Sequence, residues 1–259
     1  MNSLLYLLLL ASAVFSGMIL CMRIGHIMGV RAIAKNPEWT KESSLVDGSI
    51  FALYGLLIAF TFSSAGARFE QRRNLIVLET NDIGTAYLRL NLLAPDDRAL
   101  LQQLFRQYLE SRIRTSMSPD ILSARQELET SKKLQGDIWN RTLAALSHSA
   151  VPPSAYVILL PALNEMFDIV TTRVRAAYTH TPVMIYGFLF AIALGCSILV
   201  GYNAGPSRSP YSVRTVGFAL ISVMSLVVIL DLEFPRYGLI RLDIADQALV
   251  ELQTTLSQP

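Results

Sequence analysis

Charge is scarce in this sequence. Only 16% of its 259 residues are Asp, Glu, Lys or Arg, whereas soluble domains carry about 25%. Apolar residues make up 52%, so the composition is that of a membrane protein diluted by a polar region. The net charge of +2, with no basic run interleaved with aromatics, gives no footprint for nucleic acid. The two cysteines, Cys21 and Cys196, both lie in apolar stretches and read as packing residues rather than a disulfide or metal ligands. The three histidines are far apart, and no His/Cys/carboxylate cluster has metal-ligand spacing. A phosphate-cradling glycine loop, Gly-x-Ser-x-Gly and HExxH are all missing. Strand-like alternation is missing too, and no internal repeat occurs.

Four stretches are long and apolar enough to cross a bilayer: roughly Leu4–Met22, Ser49–Ala67, Val183–Tyr202 and Val213–Leu230. Ala11-Ser12-Ala13 looks like a signal-peptide cleavage site. However, no Lys or Arg precedes it and the apolar run continues to Cys21, so the segment reads as a span. The spans hold Ser, Thr and Tyr but no ionisable group near their midpoints. That disfavours an intramembrane enzyme and proton-coupled transport, which place such groups at membrane depth. The protein is therefore expected not to be an enzyme and to need no cofactor or metal.

With four spans, both termini and the segment between the second and third spans share one side of the membrane. Arg68, Arg72, Arg73, Arg173, Arg175, Arg236 and Arg241 flank that side; Arg23, Arg31, Lys35, Lys41, Arg208 and Arg214 flank the other. The count is nearly balanced, and the termini and the central segment are placed in the cytoplasm.

Proline is also rare where it matters. None falls between Pro37 and Pro95, so nothing forbids one helix from Asp47-Gly48 through the second span and on toward Pro95. Some 46 residues at 1.5 Å each make a rod of roughly 70 Å, against a hydrocarbon core of about 30 Å. Beyond the membrane, Phe69, Ile76, Ile83 and Leu90 recur every seven residues as an apolar seam. A separate polar face carries Arg68, Arg72, Glu79, Asp82 and Arg89, with Arg73 beside it. Arg68/Arg72 and Glu79/Asp82 are like-charged neighbours, so these residues must seek partners on other helices or other subunits, or lie solvated.

Proline and capping signals divide the rest into further helices: one after Pro95-Asp96-Asp97, one from Ser118-Pro119-Asp120 toward Ser147, and one after Pro152-Pro153 reaching Thr179. Residues 26–47 are expected to be a polar loop turning at Asn36-Pro37. A short C-terminal helix should place Ile244, Leu249, Leu252 and Leu256 on one side. The expected fold is an all-α membrane protein. Its parts are a first transmembrane hairpin (1–66), a helical cytoplasmic bundle inserted between the second and third spans (67–181), a second hairpin (182–231) and a cytoplasmic C-terminal segment (232–259).

The second span has distinct faces. Ala52, Gly55, Ala59, Ser63 and Gly66 form a small-residue face that suits close helix packing. Leu56, Phe60 and Ser64 follow one another at one-turn spacing beside it, and Phe51, Tyr54, Ile58 and Phe62 run along the other flank. Either stripe, repeated around an axis, would form apolar rings able to gate by dewetting.

Ile58-Ala59-Phe60-Thr61-Phe62 followed by Arg68-Phe69 resembles the pore-helix pattern of bestrophin anion channels. The longer string from Gly55 to Ser63, with Arg68–Arg73 and Glu79–Arg89, is similar to the bacterial bestrophin-like membrane family. Asp231-Leu232-Glu233-Phe234-Pro235-Arg236-Tyr237-Gly238 resembles the motif after the last span in both groups, carried by Asp231, Glu233, Pro235 and Gly238. The resemblance implies a homopentamer in the bacterial inner membrane whose second span lines a pore for inorganic anions such as chloride. Phe60 then takes a neck position, with Leu56 and Ala52 as the preceding rings. Ser63 or Ser64 would be weak polar contacts, and Tyr54, Ile58 and Phe62 the alternative stripe. Arg68, Arg72, Arg73, Glu79, Asp82 and Arg89 would lie at the cytoplasmic mouth and between subunits. The dense acidic run of the animal calcium clasp is missing. The competing expectation is a non-conducting membrane sensor or scaffold with a cytoplasmic partner-binding bundle.

Overall fold

A computed structural model describes residues 3–35, 44–118, 120–148, 151–205, 211–235 and 239–257. Asn36, Pro37, Lys41, Pro119, Arg208, Arg236, Tyr237 and Gly238, named above, lie outside the described residues. Those described are almost wholly helical: α1 (Ser3–Lys35), α2 (Ser44–Arg89) with a 3-10 turn at Leu90–Leu92, α3 (Pro95–Met117), α4 (Ile121–Leu146), α5 (Ser154–Tyr178), α6 (Val183–Asn203), α7 (Val213–Glu233) and α8 (Asp243–Ser257). Four of these helices contain stretches long and apolar enough to cross a membrane: α1, α2, α6 and α7. The chain divides into two compact units, residues 1–69 with 180–241, and residues 70–179 with 242–259.

In the first unit α1 packs along α6 and α7. The expected loop over 26–47 is largely helix instead, because α1 runs to Lys35 and α2 already starts at Ser44. Nothing between Arg23 and Lys35 breaks a helix, and the glycines there have another use. A Cβ on Gly25 would overlap the backbone carbonyl oxygen of Ile198; one on Gly29 would overlap that of Tyr202; one on Gly201 would overlap that of Met22. Glycine at these positions lets the α1 and α6 backbones touch. His26 Nδ1 lies 3.1 Å from the Ala204 carbonyl oxygen, and Asn203 Nδ2 donates to Asp47 at 2.8 Å, which ties α6 to α1 and to the start of α2. Met18, Met22, Ala219 and Val223 form one buried cluster; Tyr54, Leu189, Ala193, Cys196 and Leu226 form another.

The second unit is a helical body around Leu101, Phe105, Tyr108, Leu109, Ile138, Leu159 and Leu163, each fully buried. Burying such a side chain contributes about 1.5–3 kcal/mol. The seven-residue seam of α2 reaches this core through Ile76, Ile83 and Leu90. Asp120 caps α4 through the Ser123 N–H at 2.9 Å. Asp97, in the first turn of α3, holds Arg141 at 2.9 Å and His148 at 2.8 Å near the end of α4. On α8, Leu249 and Leu256 are buried as expected, but Ile244 is exposed, because it sits in the first turn where Ala245 and Asp246 face inward instead.

The backbone contact between α1 and α6 makes a direct prediction. Gly201→Val should destabilise the protein by at least the 1–3 kcal/mol typical of overpacking, read as a lower unfolding temperature in detergent. Gly187→Ala, where an added Cβ meets nothing within 4 Å, should leave that temperature unchanged or slightly raised.

Candidate functional site

Helix α2 presents different faces to different surroundings within the first unit. Tyr54, Thr61 and Ala65 are buried. Tyr54 packs against Leu189, Cys196 and Leu226 and lies 6.3 Å from the ring of Phe218. Ile58 packs on the same cluster and on Ala65 and Ile229. Phe62 is half exposed and lines a shallow groove with Gly55, Ile58 and Ala59, walled on its other side by Met224, Ser225 and Val228 of α7. The stripe of Tyr54, Ile58 and Phe62 is therefore split between core and groove. Ala52, Leu56, Phe60 and Ser64 are exposed along a single line of one-turn steps, and Ser63 is exposed beside them. Phe60, at 64% exposure, is among the most solvent-accessible large side chains of α2. Of the small-residue face, Ala52, Gly55, Ala59 and Ser63 are exposed and Gly66 is half-buried, with nothing within 4 Å of a Cβ placed on Gly55 or Gly66.

Where α2 leaves its apolar stretch, a polar cluster begins. Arg68 Nε donates to both oxygens of Glu233 at 3.1 and 3.2 Å, and Nη2 donates to Glu233 at 2.8 Å and to the Thr181 hydroxyl. Its Nη1 donates to the Ser64 hydroxyl oxygen at 2.6 Å. Glu233, the last residue of α7, is fully buried and also accepts from the Thr181 backbone N–H at 2.9 Å. His180 Nδ1 lies 3.3 Å from Glu233, and the His180 ring stacks on Phe234 at 4.8 Å. Two residues before Glu233, Asp231 accepts from the backbone N–H groups of Leu239 and Ile240 at 2.9–3.1 Å and so closes the turn after α7. Pro235 is buried and Gly238 lies outside the described residues. The acidic residues of the C-terminal motif thus hold Arg68 and shape a turn. A carboxylate as buried as Glu233 requires this density of donors, since the desolvation cost of a bare charge is several kcal/mol.

The other charges of α2 fall in the second unit. Arg72 is buried and donates to the carbonyl oxygens of Ala176 and Thr179 at 3.1 and 2.8 Å, at the C-terminal end of α5. A cation there meets free carbonyls and the negative end of the helix dipole. Arg73 pairs with Glu70 at 2.9 Å on the exposed surface, a pair worth at most about 1 kcal/mol. Arg89 donates to the Ile158 carbonyl oxygen at 2.8 Å. Glu79 is fully buried between Arg112 of α3, at 2.5 Å, and Arg173 of α5. Arg173 also donates to Ser116 at 2.9 Å, and Ser116 donates to Asp246 of α8 at 2.8 Å. This network joins four helices. Burial pushes the Glu79 carboxyl up, but Arg173 and Arg112 outweigh it and hold it below its ordinary value of 4.5. Asp82 goes the other way: burial, then Glu165 and Glu79, raise it above 3.8.

The sequence shows α2's half of these clusters but not Arg112, Ser116, Thr181 and Asp246. The signal was indirect, a row of charges on one helix that cannot pair among themselves. Arg68, Arg72, Glu79 and Arg89 find partners on other elements of the same chain. Among the described residues, no group of three or more His, Cys, Asp or Glu side chains is placed to hold a metal ion.

A family model for the Bestrophin-like domain matches residues 30–246. The chain belongs to the bestrophin-like family. Crystal structures of a bacterial bestrophin homolog from Klebsiella pneumoniae share this fold. One, of a single-substitution variant, is 13% identical and covers 95% of this chain and 99% of that chain at a TM-score of 0.71. Another, phased on zinc, is also 13% identical and covers 94% and 98% at a TM-score of 0.68. At this identity the likeness is one of fold. No curated protein matches the sequence. With four helices able to cross a bilayer, this bestrophin-like chain is a membrane protein.

The opposed shifts in the second unit give opposed pH dependences. Glu79, held below its ordinary value, contributes stability that is present above pH 4.5 and lost as pH falls through the lower folded value. Glu79→Gln should lower the unfolding temperature at neutral pH and flatten the loss of stability on the acid side. Asp82, held high, carries a cost that appears as pH rises through its folded value and vanishes below 3.8. Asp82→Asn should therefore raise the unfolding temperature at neutral pH, with the gain fading on acidification.

Proposed function

We propose that this protein is an oligomeric, anion-permeable channel of the inner membrane of a bacterium, a homopentamer whose conduction path is lined by α2. The carrying observation is the exposed line of Ala52, Leu56, Phe60 and Ser64, set on a helix whose opposite side is packed into its own chain. Arranged around an axis, Leu56 and Phe60 become apolar rings of a neck that passes poorly hydrated ions and closes by dewetting. The splitting of Tyr54, Ile58 and Phe62 between core and groove supports the Ala52–Phe60 line over that alternative. Membership of the bestrophin-like family supports a channel over an enzyme. In this reading residues 1–66 and 182–231 form the membrane part, residues 67–181 and 232–259 the cytoplasmic part, and the ligands are bilayer lipid, inorganic anions and further copies of the chain.

A non-conducting sensor or scaffold is the competing reading. It is favoured by the commitment of Arg68, Arg72 and Glu79 to partners inside the chain, which ties up charge that would otherwise concentrate anions at a pore mouth.

Purified protein in planar bilayers separates the two. The channel reading expects an anion current and a several-fold increase in Phe60→Ala, which removes an apolar ring of the neck. Absence of current from assembled protein, or a Phe60→Ala current equal to wild type, would refute it. A monomer or dimer by native mass spectrometry would favour the scaffold, because no closed ring of α2 helices could then form.

A further inference from the structure

Ser64 stands one turn beyond Phe60 on the exposed line of α2, and its hydroxyl is bonded differently from three others in the membrane helices. Thr61, Ser197 and Ser225 each donate their proton to the carbonyl oxygen four residues back in their own helix. Ser64 instead accepts from Arg68 Nη1 at 2.6 Å and donates to no other described residue. A hydroxyl whose oxygen receives an arginine N–H cannot aim its own proton at that arginine. The proton turns elsewhere, on a side chain that is open to its surroundings. Hydrogen bonds in series polarise one another, so an O–H backed by a guanidinium is a stronger donor than an isolated one.

We infer that Ser64 is the anion-contacting donor of the conduction path and sets its order of preference among anions. The inference rests on the channel reading above and names the group in that path that touches the ion. Arg68 contributes through Ser64 rather than as a free charge, because buried Glu233 balances it. An ion passing Ser64 meets a ring of polarised hydroxyls with little net charge behind them. Such a site compensates part of the lost hydration without trapping the ion, which conduction requires. Chloride, more strongly hydrated than thiocyanate, gains more from the donor.

The test is the bi-ionic reversal potential of full-length protein in planar bilayers, with thiocyanate on one side and chloride on the other. Ser64→Val, which has the shape of threonine without the hydroxyl, should raise the thiocyanate-to-chloride permeability ratio by about twofold to tenfold, the worth of one hydrogen bond. Ser64→Thr, which keeps the hydroxyl, should hold the wild-type ratio. Ser64→Ala gives the same comparison where the valine variant does not assemble. If Ser64 were only an anchor for Arg68, its removal would scale all currents together and leave the ratio unchanged, and that result overturns the inference. Equal shifts in the valine and threonine variants also overturn it, since they would report shape. A wild-type anion current with a ratio insensitive to Ser64 defeats this inference alone. No wild-type current, or a cation-selective one, defeats the anion-channel reading and this inference with it.

Discussion

The constraint on which much of this structure depends is that a charge removed from water must be given a partner, and that α2 cannot supply one from within itself. Helical neighbours stand three and four residues apart. Those neighbours put Arg68 beside Arg72 and Glu79 beside Asp82, like charge against like. Each buried charge is therefore satisfied from another element. Arg68 finds Glu233 at the end of α7, Arg72 finds the open carbonyls at the end of α5, and Glu79 finds Arg112 and Arg173. Truncating one member of such a pair costs about 3–5 kcal/mol, because the other charge is left buried and unpaired. Within the first unit the Arg68–Glu233 pair joins α2 to α7, and the Thr181 N–H adds the segment that leads into α6.

The same constraint bears on function. Three arginines close together suggest a field that concentrates anions, but Arg68 is balanced by a buried carboxylate and Arg73 by Glu70. Arg72 is buried against α5. In the proposed channel, selectivity then falls to apolar rings and oriented dipoles rather than to formal charge. Such a pore favours ions that shed water easily and holds none of them tightly. That outcome follows from arginines chosen for their structural partners, whose side effect is to orient a hydroxyl on the exposed line.

The parts of this architecture that follow a period were legible in the sequence. The four spans, the unbroken α2 and its seam of Ile76, Ile83 and Leu90 each follow from a repeat that one strand of text contains. The exposed line of Leu56 and Phe60 was legible as one of two stripes. Which of the two is exposed required knowing that Phe218, Leu189 and Leu226 arrive against Tyr54, which no local pattern encodes. Partners far apart in the chain were illegible for the same reason. Arg112 and Arg173 look like ordinary surface arginines of amphipathic helices, and Asp246 like an ordinary first-turn acid. Polar residues after Met22 suggest a loop, but α1 carries them as helix to Lys35 while Gly25 and Gly29 press against α6.

That contrast between glycines carries the last step. Two sets of small residues occur in the membrane helices with similar spacing. Those at 25, 29 and 201 lie so close to a neighbouring backbone that no side chain fits. Those of α2 leave room: no atom lies within 4 Å of a Cβ placed on Gly55 or Gly66, Ala52, Ala59 and Ser63 are exposed, and Gly55 and Ala59 line the open groove beside α7. Small residues gain little from lipid tails, which reward bulk, and much from another helix, which rewards close approach. The open face of α2 is thus better matched to a second copy of the chain than to lipid. In the proposed channel, a copy seated there and repeated around a ring would turn the adjacent line of Leu56, Phe60 and Ser64 toward a common axis. The oligomer and the conduction path of the proposed channel are then consequences of a single helix having two uncovered faces side by side.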